Sequence, residues 1–187
     1  MKKQFILLSL TAILIIAFNF SDDENTITAR KLVKDFGTQL KSELMHGMKK
    51  GGATEAITVC YQKAPQIAKQ LSDSTDWKIG RTSLKTRNSN NAPDDWEKSV
   101  LENFEDQFRK GKDIKTLEYS ETVRIGDLEY FRYMKAILTG SICLNCHGSE
   151  IKEPVEEKIA ELYKDDKAVN YKKGEIRGAF TLSRKLN

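Results

Sequence analysis

The five residues Cys143–His147 constrain what this chain can fold into more than any other stretch. They read CLNCH within GSICLNCHGSE, and they hold two of the chain's three cysteines and one of its two histidines. C-x-x-C-H is the attachment signal for c-type haem. Two thiols add to the two vinyl groups of a porphyrin, and two intervening residues let both sulfurs reach those vinyls from one turn of chain. The next residue, His147, then projects under the ring and can bind iron through an imidazole nitrogen. With so few cysteines and histidines in 187 residues, chance would produce the pattern roughly 0.0005 times, so accident is set aside. A fold built on this motif has to accommodate a flat, rigid group bonded to its own backbone.

Two other chemistries use the same residues. A redox-active Cys143–Cys146 disulfide requires the C-x-x-C to open a helix in a βαβ frame; a strand pattern precedes the motif, but that frame is missing. Cys60, Cys143, Cys146 and His147 together make a Cys₃His set of the kind that binds zinc. The second C-x-x-C or H-x-x-H pair usual in such sites is absent.

Compartment bears on the choice. MKKQFILLSLTAILIIAFNF (residues 1–20) places Lys2 and Lys3 before an apolar run from Phe5 to Phe18, the pattern of a secretory signal peptide. AFNFSDD contains no A-x-A, so an uncleaved membrane anchor stays open beside cleavage, although the run is short of the about 20 residues of a spanning helix. Either way the domain is expected outside the cytoplasm, in the periplasm, where c-type haem is assembled. Export would pair cysteines as disulfides, and three is an odd number. The net charge is +4, and without Lys2 and Lys3 the remainder carries +2 with both signs mixed. No basic block suited to neutralising phosphates is present, so no nucleic-acid partner is expected.

Residues 21–25 read as a polar linker and 26–187 as one domain. From Thr26 to Met48 apolar residues recur at helical spacing, and Gly51-Gly52 ends the helix. A second helical pattern, ATEAITVCYQKAPQIAKQLS, carries Cys60 on its apolar face and Pro65, which is expected to kink or split it. A short strand at Trp77–Ile79 leads into a polar loop. Pro93 reads as the first position of a third helix closed by Gly111. Its stripe of Trp96, Val100, Leu101, Phe104 and Phe108 suits either a core or the wall of a flat-cofactor pocket. KTLEYSETVRI, Gly126-Asp127 and LEYFRYMKAIL read as a β-hairpin. EPVEEKIAELY reads as a short helix, and GEIRGAFTLSRK as a final strand. The order is α+β: an antiparallel sheet with N-terminal helices and a helical insertion.

For the iron's second axial position the residues alone leave Cys60, His46, Met45, Met48 and Met134 open. Arg81, Arg87 and Arg177 are candidates to pair with haem propionates, because a guanidinium fork matches a carboxylate.

RTSLKTRNSNNAPDDWE (Arg81–Glu97), CLNCHG (Cys143–Gly148) and YKDDKAVNYKKGEIRGAF (Tyr163–Phe180), with AITVCYQKAPQIA upstream, resemble in that order the Tll0287-like haem domain family. The resemblance covers nearly the whole chain after the leader. It implies a PAS-like fold, with helices flanking an antiparallel sheet, and one covalently attached haem c. It also implies that a cysteine of the upstream helix is the second axial ligand, at the position of Cys60. Asn170 stands where the pattern leads to glycine and Lys164 where it leads to proline, both in a loop. With His147 and Cys60 on the iron, no position is free for substrate, and thiolate donation lowers the potential. The expectation is a periplasmic redox or small-gas sensory module, with a monohaem electron carrier as the alternative and a haem enzyme third. With no output domain after residue 187, the sensory reading expects a redox or signalling protein partner.

Overall fold

A computed structural model describes residues 23–186. The leader therefore lies outside the described residues. Among the described residues no helix is long and apolar enough to cross a membrane.

Helix α1 (Glu24–Asp73) is two arms, 24–50 and 53–73, joined where Gly51 and Gly52 leave helical dihedrals, Gly52 at φ 68°. The break lies where the glycine pair places it, and the first turn starts at Glu24, inside the stretch read as linker. The arms fold back on each other: a Cβ on Gly47 would lie 2.9 Å from the Ala56 Cα. Only glycine permits so close a crossing. Pro65 does not split the second arm, because Gly51 and Gly52 alone depart from helical φ/ψ. The helix tolerates the lost hydrogen bond to the Tyr61 carbonyl because Ala64 and Ile67 on either side are buried in packing contacts.

Four antiparallel strands follow: β1 (Trp77–Thr82), β2 (Glu118–Ile125), β3 (Leu128–Leu138) and β4 (Ile176–Lys185), in the order β1-β4-β3-β2. The hairpin β2–β3 turns through Gly126-Asp127, with Ile125 opposite Leu128. Alternation along the strands separates two cores. Trp77, Ile79, Phe131, Tyr133 and Leu182 face both arms of α1, meeting Ala29, Leu32, Phe36 and Ile67. Met134, Ile176 and Ala179 face α2 (Asp95–Arg109), meeting Val100, Leu101 and Phe104. The aromatic stripe of α2 is thus mainly core. Helix α2 begins two residues later than the Pro93 reading: Asp94 is the N-cap, and Asp94 and Glu97 form a reciprocal capping box. The two side chains, each accepting the other residue's backbone N–H, set the start, rather than the proline before them.

The insertion between β3 and β4 holds α3 (Leu144–His147) and α4 (Glu153–Leu162). A third apolar cluster ties it to the second arm of α1 through Ile57, Cys146, Val155 and Ile159. The β3–β4 register slips at the entry to β4: Ile137 faces Gly178 and Leu138 faces Ile176, leaving Arg177 as the extra residue of a bulge. Gly178 sits at φ 142°, and a Cβ there would lie 2.4 Å from the Thr82 carbonyl oxygen. Gly178→Ala is expected to cost about 2 kcal/mol or more, from strain and the clash with β1. A urea titration checks this, and a loss under about 0.5 kcal/mol would contradict the close approach.

Candidate functional site

The C-x-x-C-H motif occupies a 3₁₀ turn (Ser141–Cys143) running into α3, which ends at His147. Cys146 faces inward and is buried with Ile57 of the second α1 arm. The loop 166–171 closes over the end of α3 by backbone bonds: the Tyr171 N–H donates to the His147 carbonyl at 2.9 Å, and the Asn170 N–H to the Gly148 carbonyl at 3.0 Å. Asn170 takes φ 63°. The turn therefore keeps the left-handed geometry for which the family pattern leads to glycine, since asparagine tolerates that region better than most residues.

His147 Nδ1 lies 2.7 Å from the Ala168 carbonyl oxygen. A carbonyl only accepts, so Nδ1 carries the proton and donates, leaving the Nε2 lone pair free for a metal. Burial holds the His147 pKa well below its usual value, with Arg177 and Arg87 adding to the effect. The imidazole is a neutral, oriented donor. The Tyr171 ring meets it edge-on at 6.2 Å.

Arg87 organises this corner. Its Nε and Nη2 donate to Asp166 Oδ1 and Oδ2 at 3.2 and 3.0 Å, and Nη2 also reaches the Cys146 and Ala168 carbonyls at 2.5 and 3.2 Å. Both members of the ion pair are only 10% exposed. One fork thus joins the loop after β1, the motif helix and the carbonyl that orients His147. Arg87, a candidate propionate partner from sequence, is occupied in holding the site together.

Cys60, in the second arm of α1, converges on the same place. Its thiol pKa is raised by burial, opposed by the nearby Arg81, Arg177 and Arg87, and raised again by Cys143. The Cys146 thiol is pushed up to about 11 by burial first, with Cys60 and Cys143 also in range. Of the other axial candidates, Met134 is fully buried in the α2-facing core, on the opposite side of the sheet from α1. Met45 and His46 lie exposed near the turn between the arms, and Met48 is half-buried there. All three cysteines are free thiols, so the structure holds no Cys143–Cys146 disulfide. Among the described residues no three His, Cys, Asp or Glu side chains gather closely enough to hold a bare metal ion. The four residues of the zinc reading are neighbours rather than a tetrahedron.

The donor set fits an iron porphyrin better than a bare ion. It offers two thiols on one turn, an imidazole whose outer nitrogen is free, and a further thiol from a separate helix. Buried arginines, with the Arg177 Nε lacking any hydrogen-bond partner, suit an anionic group. Sequence reasoning missed Asp166 and Ala168. Asp166 had a signal, in the YKDDKAVNY run, but Ala168 contributes a backbone carbonyl that no side-chain pattern reveals.

A family model described as Tll0287-like matches residues 15–184. The crystal structure of the cyanobacterial heme-protein Tll0287 is similar at a TM-score of 0.60 and 22% identity. The match covers 87% of this chain and 95% of that one. No curated protein matches.

Arg87→Met would leave Asp166 buried without its cation. A loss of about 3–5 kcal/mol in urea unfolding is expected, and Asp166→Leu alongside should recover part of it, since Asp166 also accepts the Ala168 N–H; a loss under about 1 kcal/mol would show that the clamp does not hold this corner. The second expectation concerns pH in a haem-free Cys143→Ala/Cys146→Ala chain. Folded His147 resists the proton that the unfolded chain accepts near 6.5. Its contribution is therefore complete above that pH and is lost on acidification below it, by up to about 1.4 kcal/mol per pH unit. His147→Phe should flatten that part of the stability–pH curve.

Proposed function

The chain belongs to the Tll0287-like family, and from that membership we propose that it is an exported, periplasmic haem c protein. In this reading Cys143 and Cys146 carry one haem by thioether bonds, with His147 and Cys60 as axial ligands. The observation that carries it is the His147 Nδ1–Ala168 bond, which turns the imidazole so that only Nε2 is offered. The C-x-x-C-H motif supports the cofactor, as does the likeness to a structure named as that of a heme-protein.

Bound there, haem would supply a one-electron iron couple and an iron able to take a small gas. The chain's own residues set the conditions. Burial keeps the imidazole neutral, the Ala168 carbonyl orients it, and Arg87 fixes that carbonyl. Burial raises the Cys60 pKa, and Arg81, Arg177 and Arg87 oppose that rise without reversing it. The biological role we propose is redox or small-gas sensing. Cys60 rides on an arm that packs on α3 and α4 and is broken from the rest of α1 at Gly51–Gly52. Release of the thiol would leave that arm with one restraint fewer, a differential interaction able to bias two conformations and be read by a protein partner.

An electron-transfer cytochrome is the alternative. It draws on Tyr61, next to Cys60 in sequence, which is 44% exposed and stacks edge-on with Tyr163 at 5.3 Å. An aromatic pair with one exposed and one half-buried member beside the site suits electron exchange with a soluble donor.

Purified from the periplasmic fraction, the protein is expected to keep haem through denaturation, and Cys143→Ala with Cys146→Ala to abolish it. Ferric wild type should be low-spin with a sulfur-to-iron charge-transfer band. Cys60→Ala should lose that band, keep its haem and gain binding of carbon monoxide or cyanide. Carbon monoxide displacing Cys60 in the wild type favours sensing; fast electron exchange without displacement favours the carrier. A zinc-bearing chain with no Soret band would end the haem reading.

A further inference from the structure

The chain has eight arginines, at 30, 81, 87, 109, 124, 132, 177 and 184. Arg30, Arg87, Arg109, Arg124, Arg132 and Arg184 each ion-pair with a carboxylate. Among the described residues Arg81 and Arg177 have no such partner, and they are the two that lie together beside Cys60 and His147. An arginine in water needs no partner, but these are half-buried. Arg81 projects from β1 on the side of Trp77 and Ile79, with its guanidinium carbon 5.9 Å from the Phe36 ring centroid. Its pKa is lowered to about 10, by burial first and by Arg177 second. The Arg177 Nε is buried with no hydrogen-bond partner. Glu105 and Glu175 line the cleft that Arg177 also borders, yet neither ion-pairs with it.

Two local departures from regular structure put Arg177 there. The bulge opposite Ile137 and Leu138 makes it the unpaired residue of β4. Gly178, pressed against the Thr82 carbonyl, lets the chain make that turn. Bulges re-aim side chains in this manner next to functional sites. Two like charges brought together and partly withdrawn from water, with a buried N–H left unsatisfied, oppose folding unless an anion joins them.

We propose that Arg81 and Arg177 form a buried carboxylate-binding subsite that anchors a haem propionate, so that the cofactor supplies the counter-charge the protein leaves out. This rests on the haem reading of the neighbouring cysteines and histidine. Two consequences separate it from a structural role. The pair should oppose folding before the anion arrives and favour it afterwards. The pair should also stabilise the ferrous state, because positive charge near the iron disfavours its additional positive charge.

The test compares Arg177→Met in two backgrounds. In the haem-free Cys143→Ala/Cys146→Ala chain, Arg177→Met is expected to raise the urea midpoint. In the haem-loaded chain it is expected to lower it. In the loaded chain it should also raise the ferric-to-ferrous ratio at a fixed applied potential about tenfold, a midpoint about 59 mV lower. Arg177→Lys should restore most of that potential, and Arg124→Gln, distant and exposed, should leave it unchanged. Destabilisation by Arg177→Met in both backgrounds, or an unmoved potential, overturns the anchoring role. If the haem-free chain does not fold, the potential decides alone. A wild-type chain without a Soret band overturns the haem reading instead, so the two failures are distinct.

Discussion

The site depends on the ion pair between Arg87 and Asp166. These residues are distant in sequence and come from two loops, which also meet where the Lys167 N–H donates to the Thr86 carbonyl. Their pairing, with the bonds Arg87 makes to the Cys146 and Ala168 carbonyls, holds the motif helix against the loop that precedes β4. The orientation of His147 follows from that contact, because the carbonyl that takes its Nδ1 proton is itself held by Arg87. A buried ion pair is weak evidence for stability, since desolvation offsets much of its attraction. Here its value is geometric: it holds in place a carbonyl that no secondary structure would place.

Around that corner the fold divides its labour. The four-stranded sheet, with α1 on one face and α2 on the other, supplies two apolar cores that owe nothing to the motif. The third cluster, around Ile57, Cys146, Val155 and Ile159, is the smallest and is the one that contains a motif cysteine. The strongest packing is therefore remote from the chemistry, and the site lies on the insertion and the hairpin arm. Among the described residues six arginines ion-pair with carboxylates, and the two without such a partner lie near Cys60. Local rules broken at one place in an otherwise consistent fold mark a functional site.

Much of this is legible in the residues. The Gly51-Gly52 break, the Gly126-Asp127 hairpin turn and the aromatic stripe of α2 each follow from local chemistry and stand where expected. The departures are local too. Pro93 reads as the start of α2, although DDWE holds the stronger signal in its Asp94–Glu97 capping box. Pro65 has the chemistry to interrupt the second arm, but burial of Ala64 and Ile67 carries the helix through it. Arg87 reads from sequence as a surface or propionate arginine, and its role as a clamp needs Asp166 and two carbonyls that adjacency in sequence cannot supply.

The C-x-x-C-H motif, the class of fold and the helical address of Cys60 are all written in the residues. They rest on spacings of a few positions, where backbone geometry leaves little freedom. Which arginines are matched, which histidine nitrogen is free, and that a thiol far upstream meets the motif were settled by the folded chain alone. These depend on contacts between segments tens of residues apart, on a bulge that redirects one side chain and on carbonyls that carry no residue identity. Charge and hydrogen-bond partners are properties of position in space, and the chain acquires them only when its arms and loops have closed.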